Sequence, residues 1–265
     1  MNDDKVRALW EDIEYYKSRK KYAECVKRME EREKEVTDPV GQAILLTAKS
    51  TCAAQMGNLA LAEKAAFAID MEPLSPEMRN YVNLTRASIS HSLGRLEQAE
   101  SLFSAILASK EAHAEQQPGA LCEAFARLGM LYGHKKRFAA ALDLLQRASI
   151  LMPDGDLRGD IGVWLGYCLQ GLGRLDEAKE CLRYVLDNGS GEMNAHAYYR
   201  LGAVQLQAGE CEAAIDSFGH ALRSLPHGGI AESDILAALQ EAKEQQNLDP
   251  VDRPPSNSRA KPPIQ

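Results

Sequence analysis

The sequence predicts an all-α chain, an array of about six helical hairpins closed by one further helix. Three observations carry this. The first is a recurring decapeptide. Leu172-Gly-Arg-Leu-Asp-Glu-Ala-Lys-Glu-Cys181 has a near copy in Leu93-Gly-Arg-Leu-Glu-Gln-Ala-Glu-Ser-Leu102, and looser copies run from Met56 to Ala62 and from Ala208 to Ala214. In each, a Gly suits the left-handed position that ends a helix. An apolar residue follows two places later, and an Ala three places further on leaves a small face where two helices cross. The second observation is period: Gly129, Gly166 and Gly202 stand at steps of 37 and 36 residues. The third is composition. Apolar residues make up 45 % of the 265, enough for a large core, while alternating runs of Val, Ile and Thr are absent, so strands are not expected.

Taken in order, residues 5 to 37 read as a first hairpin. Trp10 and Ile13, with Tyr16 and Lys17, lie along its first helix. The second helix is expected from about Lys21 to Val36, with Tyr22, Cys25, Val26 and Met29 on one face. Its other face carries Glu24 and Arg28, then Glu30 and Lys34, at the i,i+4 spacing of a solvent-facing helix. A polar outer hairpin is what a terminal cap needs. Asp38-Pro39 stops it. In the second hairpin, residues 40 to 73, Ile44, Leu45 and Leu46 start one helix and Gly57 ends it. Leu59, Ala62, Ala65, Ala66 and Ile69 form the inner face of the other. The third starts near Pro76, turns at Gly94 and buries Leu96, Ala99, Phe103 and Ile106. Hairpins one to three thus span 1–108. A polar joint at 109–119 accounts for the one long step in the period, and hairpins four to six span 120–227. A last helix within 228–247 is expected to present Ile235, Leu236 and Leu239 on one face. The Pro-rich tail, 248–265, lacks apolar mass and is expected to be disordered.

Charge and motifs exclude more than they assign. A net charge of −7 disfavours nucleic-acid binding, which needs a basic face, and the basic run Lys17–Lys21 reads as a solvated turn. The N-terminus is charged, and no stretch approaches the ~18 apolar residues of a membrane span. A cytoplasmic chain that contacts no membrane is expected. The six cysteines form no CxxC pair, which suits reduced, buried thiols rather than disulfides or a metal site. There is no HExxH, no phosphate loop and no nucleophile elbow, and the six histidines are scattered. No catalysis, cofactor or metal is expected.

Family resemblance becomes specific in the fourth hairpin. Phe125, Leu128-Gly129 and Tyr132, followed by Ala141, Leu145, Ala148 and Pro153, resemble a tetratricopeptide repeat almost residue for residue. The fifth hairpin matches at Leu165-Gly166, Leu169, Ala178 and Leu182, and the sixth at Tyr198, Leu201-Gly202, Ala214, Phe218, Ala221 and Pro226. The first three hairpins depart from the pattern: Asp12, Lys49 and Arg86 stand where it has Leu.

The resemblance implies a right-handed superhelical solenoid whose first helices line a concave groove, and with it a non-catalytic adaptor or scaffold for a protein or peptide partner. Transferred onto this sequence, it puts Tyr81, Leu84 and His91 on the groove from the third hairpin and Met130 and His134 from the fourth. The fifth offers Tyr167 and Gln170, and the sixth Tyr199. The tyrosines serve equally well as packing residues between hairpins. Arg127 and Arg200 occupy matching places in their hairpins; each meets either an acidic partner or an i,i+4 neighbour. Family members that clamp chaperone C-termini use Lys, Asn and Arg on successive first helices. The corresponding places here hold Thr85, Arg127 and Trp164, which argues against that ligand. Two other readings stay open. One is self-assembly into a homo-oligomer; the other is an effector sensor hinged at 109–119.

Overall fold

The computed structural model describes residues 3–109, 118–151, 158–188, 193–225 and 230–247. Thirteen helices and no strand occur among them. They are α1 Asp3–Ser18, α2 Tyr22–Arg32, α3 Pro39–Gln55, α4 Leu59–Phe67, α5 Pro76–Ser92, α6 Leu96–Ala108, α7 Pro118–His134, α8 Phe138–Leu151, α9 Arg158–Gly171, α10 Leu175–Asn188, α11 Asn194–Gln207, α12 Cys211–Arg223 and α13 Glu232–Asn247. The chain forms two compact units, Met1–Arg127 and Leu128–Gln265, with the division inside α7. Each unit is a stretch of helical-repeat solenoid whose hairpins pack in chain order. The polar joint lies mostly, and the Pro-rich tail wholly, outside the described residues.

All six hairpins turn in one way. The N–H that follows the left-handed residue donates to a carbonyl five residues back. The pairs are Lys21 to Tyr16, Asn58 to Ala53, Arg95 to Ser90, Arg137 to Tyr132, Arg174 to Leu169 and Glu210 to Gln205, at 2.8–2.9 Å. This satisfies a carbonyl that the helix end would leave bare. Four hairpins place Gly at the left-handed position, as the decapeptide implies. The first and fourth use Lys20 and Lys136, at φ 54° and 56°, which the glycine pattern does not announce. Gly94 isolates the backbone contribution, since its φ is +74° and a Cβ there would meet nothing within 4 Å. Gly94→Ala is expected to lower stability by about 1 kcal/mol, read as a shift in the urea midpoint of the unit 1 transition.

In unit 2 the repeat is a packing device. A Cβ on Gly129 would fall 2.8 Å from Cγ of Leu145, one on Gly166 2.6 Å from Cγ of Leu182, and one on Gly202 2.7 Å from the Phe218 ring. Each glycine of a first helix therefore receives the large residue of its own second helix. The crossing alanines Ala141, Ala178 and Ala214 are fully buried. After the sixth hairpin, α13 seats Ile235 and Ala242 on Phe218, Ala214 and Ala221, with Leu239 alongside. Leu236, expected on that face, is instead 47 % exposed.

Unit 1 replaces the leucines with polar ties between helices. Asp12 accepts from Arg32 at 2.9 Å and from Arg28 at 3.3 Å, joining α1 to α2. Lys49 of α3 reaches back to Glu30 and Glu33 at 3.2 and 3.3 Å. Arg86 of α5 donates to the carbonyls of Ala66 and Ile69 at 3.0 and 2.8 Å, covering bare acceptors at the C-terminal end of α4. The i,i+4 pairs expected along α2 are thereby redirected: Arg28 turns to Asp12 and Glu31, Glu30 to Lys49, and Glu24 to Lys21. Helix α2 also stops at Arg32, short of Val36. Asp38-Pro39 proves to be a helix start. The Asp38 carboxylate accepts from the Gly41 N–H at 2.9 Å, and Pro39 opens α3.

Candidate binding surface

The described residues hold no cluster of three or more His, Cys, Asp or Glu side chains able to bind a metal. No described helix is long and apolar enough to cross a membrane. All six cysteines are free thiols, five of them buried. Burial pushes Cys168 up to about 12 and Cys181 up to about 11. Both thiols are therefore protonated near neutral pH and act as small apolar groups. The Cys25 thiol is also pushed up, first by its contact with Cys52 and then by burial.

In unit 1, Tyr81 of α5 is half-buried and meets Trp10 of α1 edge to face, centroids 5.9 Å apart. Burial, then the carboxylates of Glu123 and Glu14, push its hydroxyl up to about 12. Leu84 is 8 % exposed and has little surface left for a ligand. His91 lies in the last turn of α5, half-exposed, and its carbonyl accepts from the turn residue Gly94.

In unit 2, Met130 of α7 is 7 % exposed and belongs to the core. The other four candidates lie on successive first helices and three of them join one run of contacts. His134, at the end of α7, is exposed and meets Trp164 of α9, centroids 4.6 Å apart. Trp164 meets Tyr167 at 5.5 Å, and Tyr167 meets Phe138 of α8 at 5.4 Å. The guanidinium of Arg200, on α11, lies over the Tyr167 ring at 4.2 Å and within 5.8 Å of the Tyr199 ring. Tyr199 in turn leans on Phe218, 5.9 Å away. Gln170 stands beside this run and donates to Gln207 at 3.1 Å. Gly133 makes room for it, because a Cβ there would sit 3.0 Å from the Trp164 ring.

The two matched arginines part company. Arg127 approaches Glu123, four residues earlier, at 3.6 Å. Arg200 sits instead among rings, and burial lowers its pKa from the ordinary arginine range. Partial desolvation lowers His134 and burial lowers His196; the Asp160 carboxylate opposes the shift at His196, and Arg200 adds to the lowering at both. Both imidazoles are therefore neutral at pH 7 and offer hydrogen bonds rather than charge.

Spacing leaves Phe138 off the candidate surface and leaves Arg200 open between an acidic partner and an i,i+4 neighbour. A signal for Arg200 exists in the sequence. His196, Ala197, Ala203 and Val204 occupy the places three and four residues away, so its own helix supplies no acid.

A family profile described as "Tetratricopeptide repeat" matches residues 165–229. No curated protein matches the chain. A tetratricopeptide repeat protein from Parabacteroides merdae superposes with a TM-score of 0.53 at 16 % identity, covering 89 % of this chain and 98 % of its own. A thermophilic protein of the same repeat type, from Thermus thermophilus, gives 0.54 at 17 % identity, over 75 % of this chain and 97 % of its own. The crystal structure of MamA gives 0.50 at 20 % identity, over 67 % and 94 %. At these identities the likeness is one of fold.

Proposed function

We propose that this chain, which matches a tetratricopeptide-repeat profile over residues 165–229, is a non-catalytic adaptor or scaffold of the cytoplasm that binds a protein or peptide along the first helices of unit 2. The observation that supports this is the run of ring contacts from His134 through Trp164 and Tyr167 to Arg200 and Tyr199. It spans three successive first helices and mixes apolar faces with hydrogen-bonding edges. Rigid aromatic side chains give contact area at low entropic cost, and neighbouring polar groups fix the register of an extended segment. The cytoplasmic setting is supported by six free thiols.

Tyr167→Ala/Tyr199→Ala is expected to reduce partner capture from native lysate at least about tenfold, since each truncated anchor costs more than ~1 kcal/mol. Quantitative mass spectrometry reads the capture, and circular dichroism checks that the array stays folded. Equal capture by the variant and the parent overturns the reading. A capture list dominated by the protein itself, equal for both, moves the function to self-assembly.

A further inference from the structure

We propose that α1 is an exchangeable element. The first hairpin opens at Lys20, α1 and α2 join into one helix, and α1 seats on a second copy of this chain, giving a two-fold symmetric swapped pair. The proposal stands apart from the reading of unit 2, because every residue it uses lies in unit 1.

Three observations carry it. The first is the hinge. Lys20 holds φ at 54°, a left-handed conformation that a residue with a Cβ disfavours. The closed turn requires it, since only then does the Lys21 N–H donate to the Tyr16 carbonyl at 2.9 Å. Opening removes the strain, and short strained hinges favour exchange. The second is continuity. Neither Gly nor Pro occurs from Asp3 to Arg32, and the hinge residues Arg19, Lys20 and Lys21 are good helix formers. Helices α1 and α2 can therefore run on as one. Gly57, Gly94, Gly173 and Gly209 oppose this in four other hairpins, and the fourth hairpin has Gly133 just before its turn at Lys136. The third is the seat. Leu9 and Ile13 are buried in one core with Cys25 and Met29 of α2 and Ile44 of α3. Asp12 is tied to Arg28 and Arg32, and Trp10 rests on Tyr81 of α5, reaching from the first hairpin to the third. These partners all lie beyond the hinge, so a second copy presents the same seat. The Arg7–Glu11 pair lies within α1 and travels with it. Each copy receives the α1 of the other, so contacts are exchanged rather than lost, and the interface closes on itself. Pairing costs freedom of movement, so the swapped form gains as concentration rises.

The alternative is a first hairpin that stays closed, so that any pairing of copies uses another surface. Two sets of full-chain variants separate these. Lys20→Gly relaxes the closed turn and weakens the continuous helix. Lys20→Val strains the closed turn further, since a β-branched residue resists positive φ. Size exclusion with light scattering, over a concentration series, reads the balance of monomer and dimer. The parent is expected to form more dimer as concentration rises. Lys20→Gly should raise the dissociation constant about a hundredfold, because both hinges of a pair are changed, and Lys20→Val should lower it about tenfold. A parent and a Lys20→Val chain that both stay monomeric overturn the inference, as does a dimer that Lys20→Gly leaves unchanged. The second set tests the exchange itself. Asp12→Arg is made in one chain and Arg28→Glu/Arg32→Glu in another, and the two are refolded together from urea. In either variant alone, like charges face each other, whether α1 stays in place or passes between identical copies. Exchange between the two different chains restores both opposite-charge pairings. Native mass spectrometry should show the mixed dimer in excess over both like pairs. Monomers alone, or mixed and like dimers in statistical proportion, overturn the inference. Should a charge variant fail to fold even in the mixture, the Lys20 series decides by itself.

Discussion

Phe218→Ala is expected to destabilise the sixth hairpin by about 3–5 kcal/mol, the range for emptying a large aromatic site in a core. The ring is fully buried and serves three neighbours at once. It fills the space that Gly202 leaves on α11, supports Tyr199, and forms the floor on which Ile235 of α13 rests. The cavity cannot collapse easily, because Gly202 offers no side chain to move in. In a repeat array each hairpin leans mainly on its neighbours, so the loss should be local. Hydrogen exchange should show α11, α12 and α13 losing protection by this amount, while α3 to α6 keep theirs. Uniform loss across the chain would mean that the whole array unfolds as one unit.

The second large effect is the inverse, an overfilled site. Gly166→Leu is expected to cost about 3 kcal/mol, at the upper end of the overpacking range. The first added carbon alone would lie 2.6 Å from Cγ of Leu182, a side chain that is itself fully buried between α9 and α10. Better helix propensity returns only about 1 kcal/mol relative to glycine. The check is a double-mutant cycle with Leu182→Ala. Alone, Leu182→Ala should cost about 2–5 kcal/mol by leaving a cavity. Combined, the new leucine fills the space that the old one vacates, so the pair should cost clearly less than the two separate losses. Simple additivity, measured by urea unfolding, would show that the two side chains do not compete for one space.

Much of the fold could be read from residues because its signals are local. Gly57, Gly94, Gly173 and Gly209 announce turns since few other residues tolerate their φ. The crossing alanines announce close helix pairs through a fixed offset from those turns. The missed features depend on distant partners. Asp12 meets arginines 16 and 20 residues later, and Arg86 meets carbonyls 17 and 20 residues earlier, separations that no local pattern encodes. Lys20 and Lys136 adopt a glycine-like conformation because the surrounding hairpin demands it. On α13, Ile235 and Leu236 are adjacent apolar residues, and only the position of Phe218 and Ala221 decides which one is covered. The candidate surface divided along the same line. Tyr167 and Tyr199 were visible as aromatic positions on first helices. That Arg200 connects them depends on α11 lying beside α9, while Leu84 and Met130 lost their surface to packing.

The uniform turn bond has a consequence for how this chain tolerates changes in length. Its acceptor carbonyls stand at residues 16, 53, 90, 132, 169 and 205. Three residues before each lies the residue at the helix crossing: Ile13, Ser50, Ala87, Gly129, Gly166 and Gly202. Nine residues after each lies its counterpart on the second helix: Cys25, Ala62, Ala99, Ala141, Ala178 and Ala214. Neither offset varies once, although the distance from one hairpin to the next ranges from 36 to 42 residues. The differences in repeat length therefore fall outside the stretch between the two crossing positions. Each hairpin behaves as a cassette of fixed gauge, and a tag or reporter spliced between Ser109 and Pro118 would leave every crossing in register, whereas one added residue between Gly166 and Ala178 would break one.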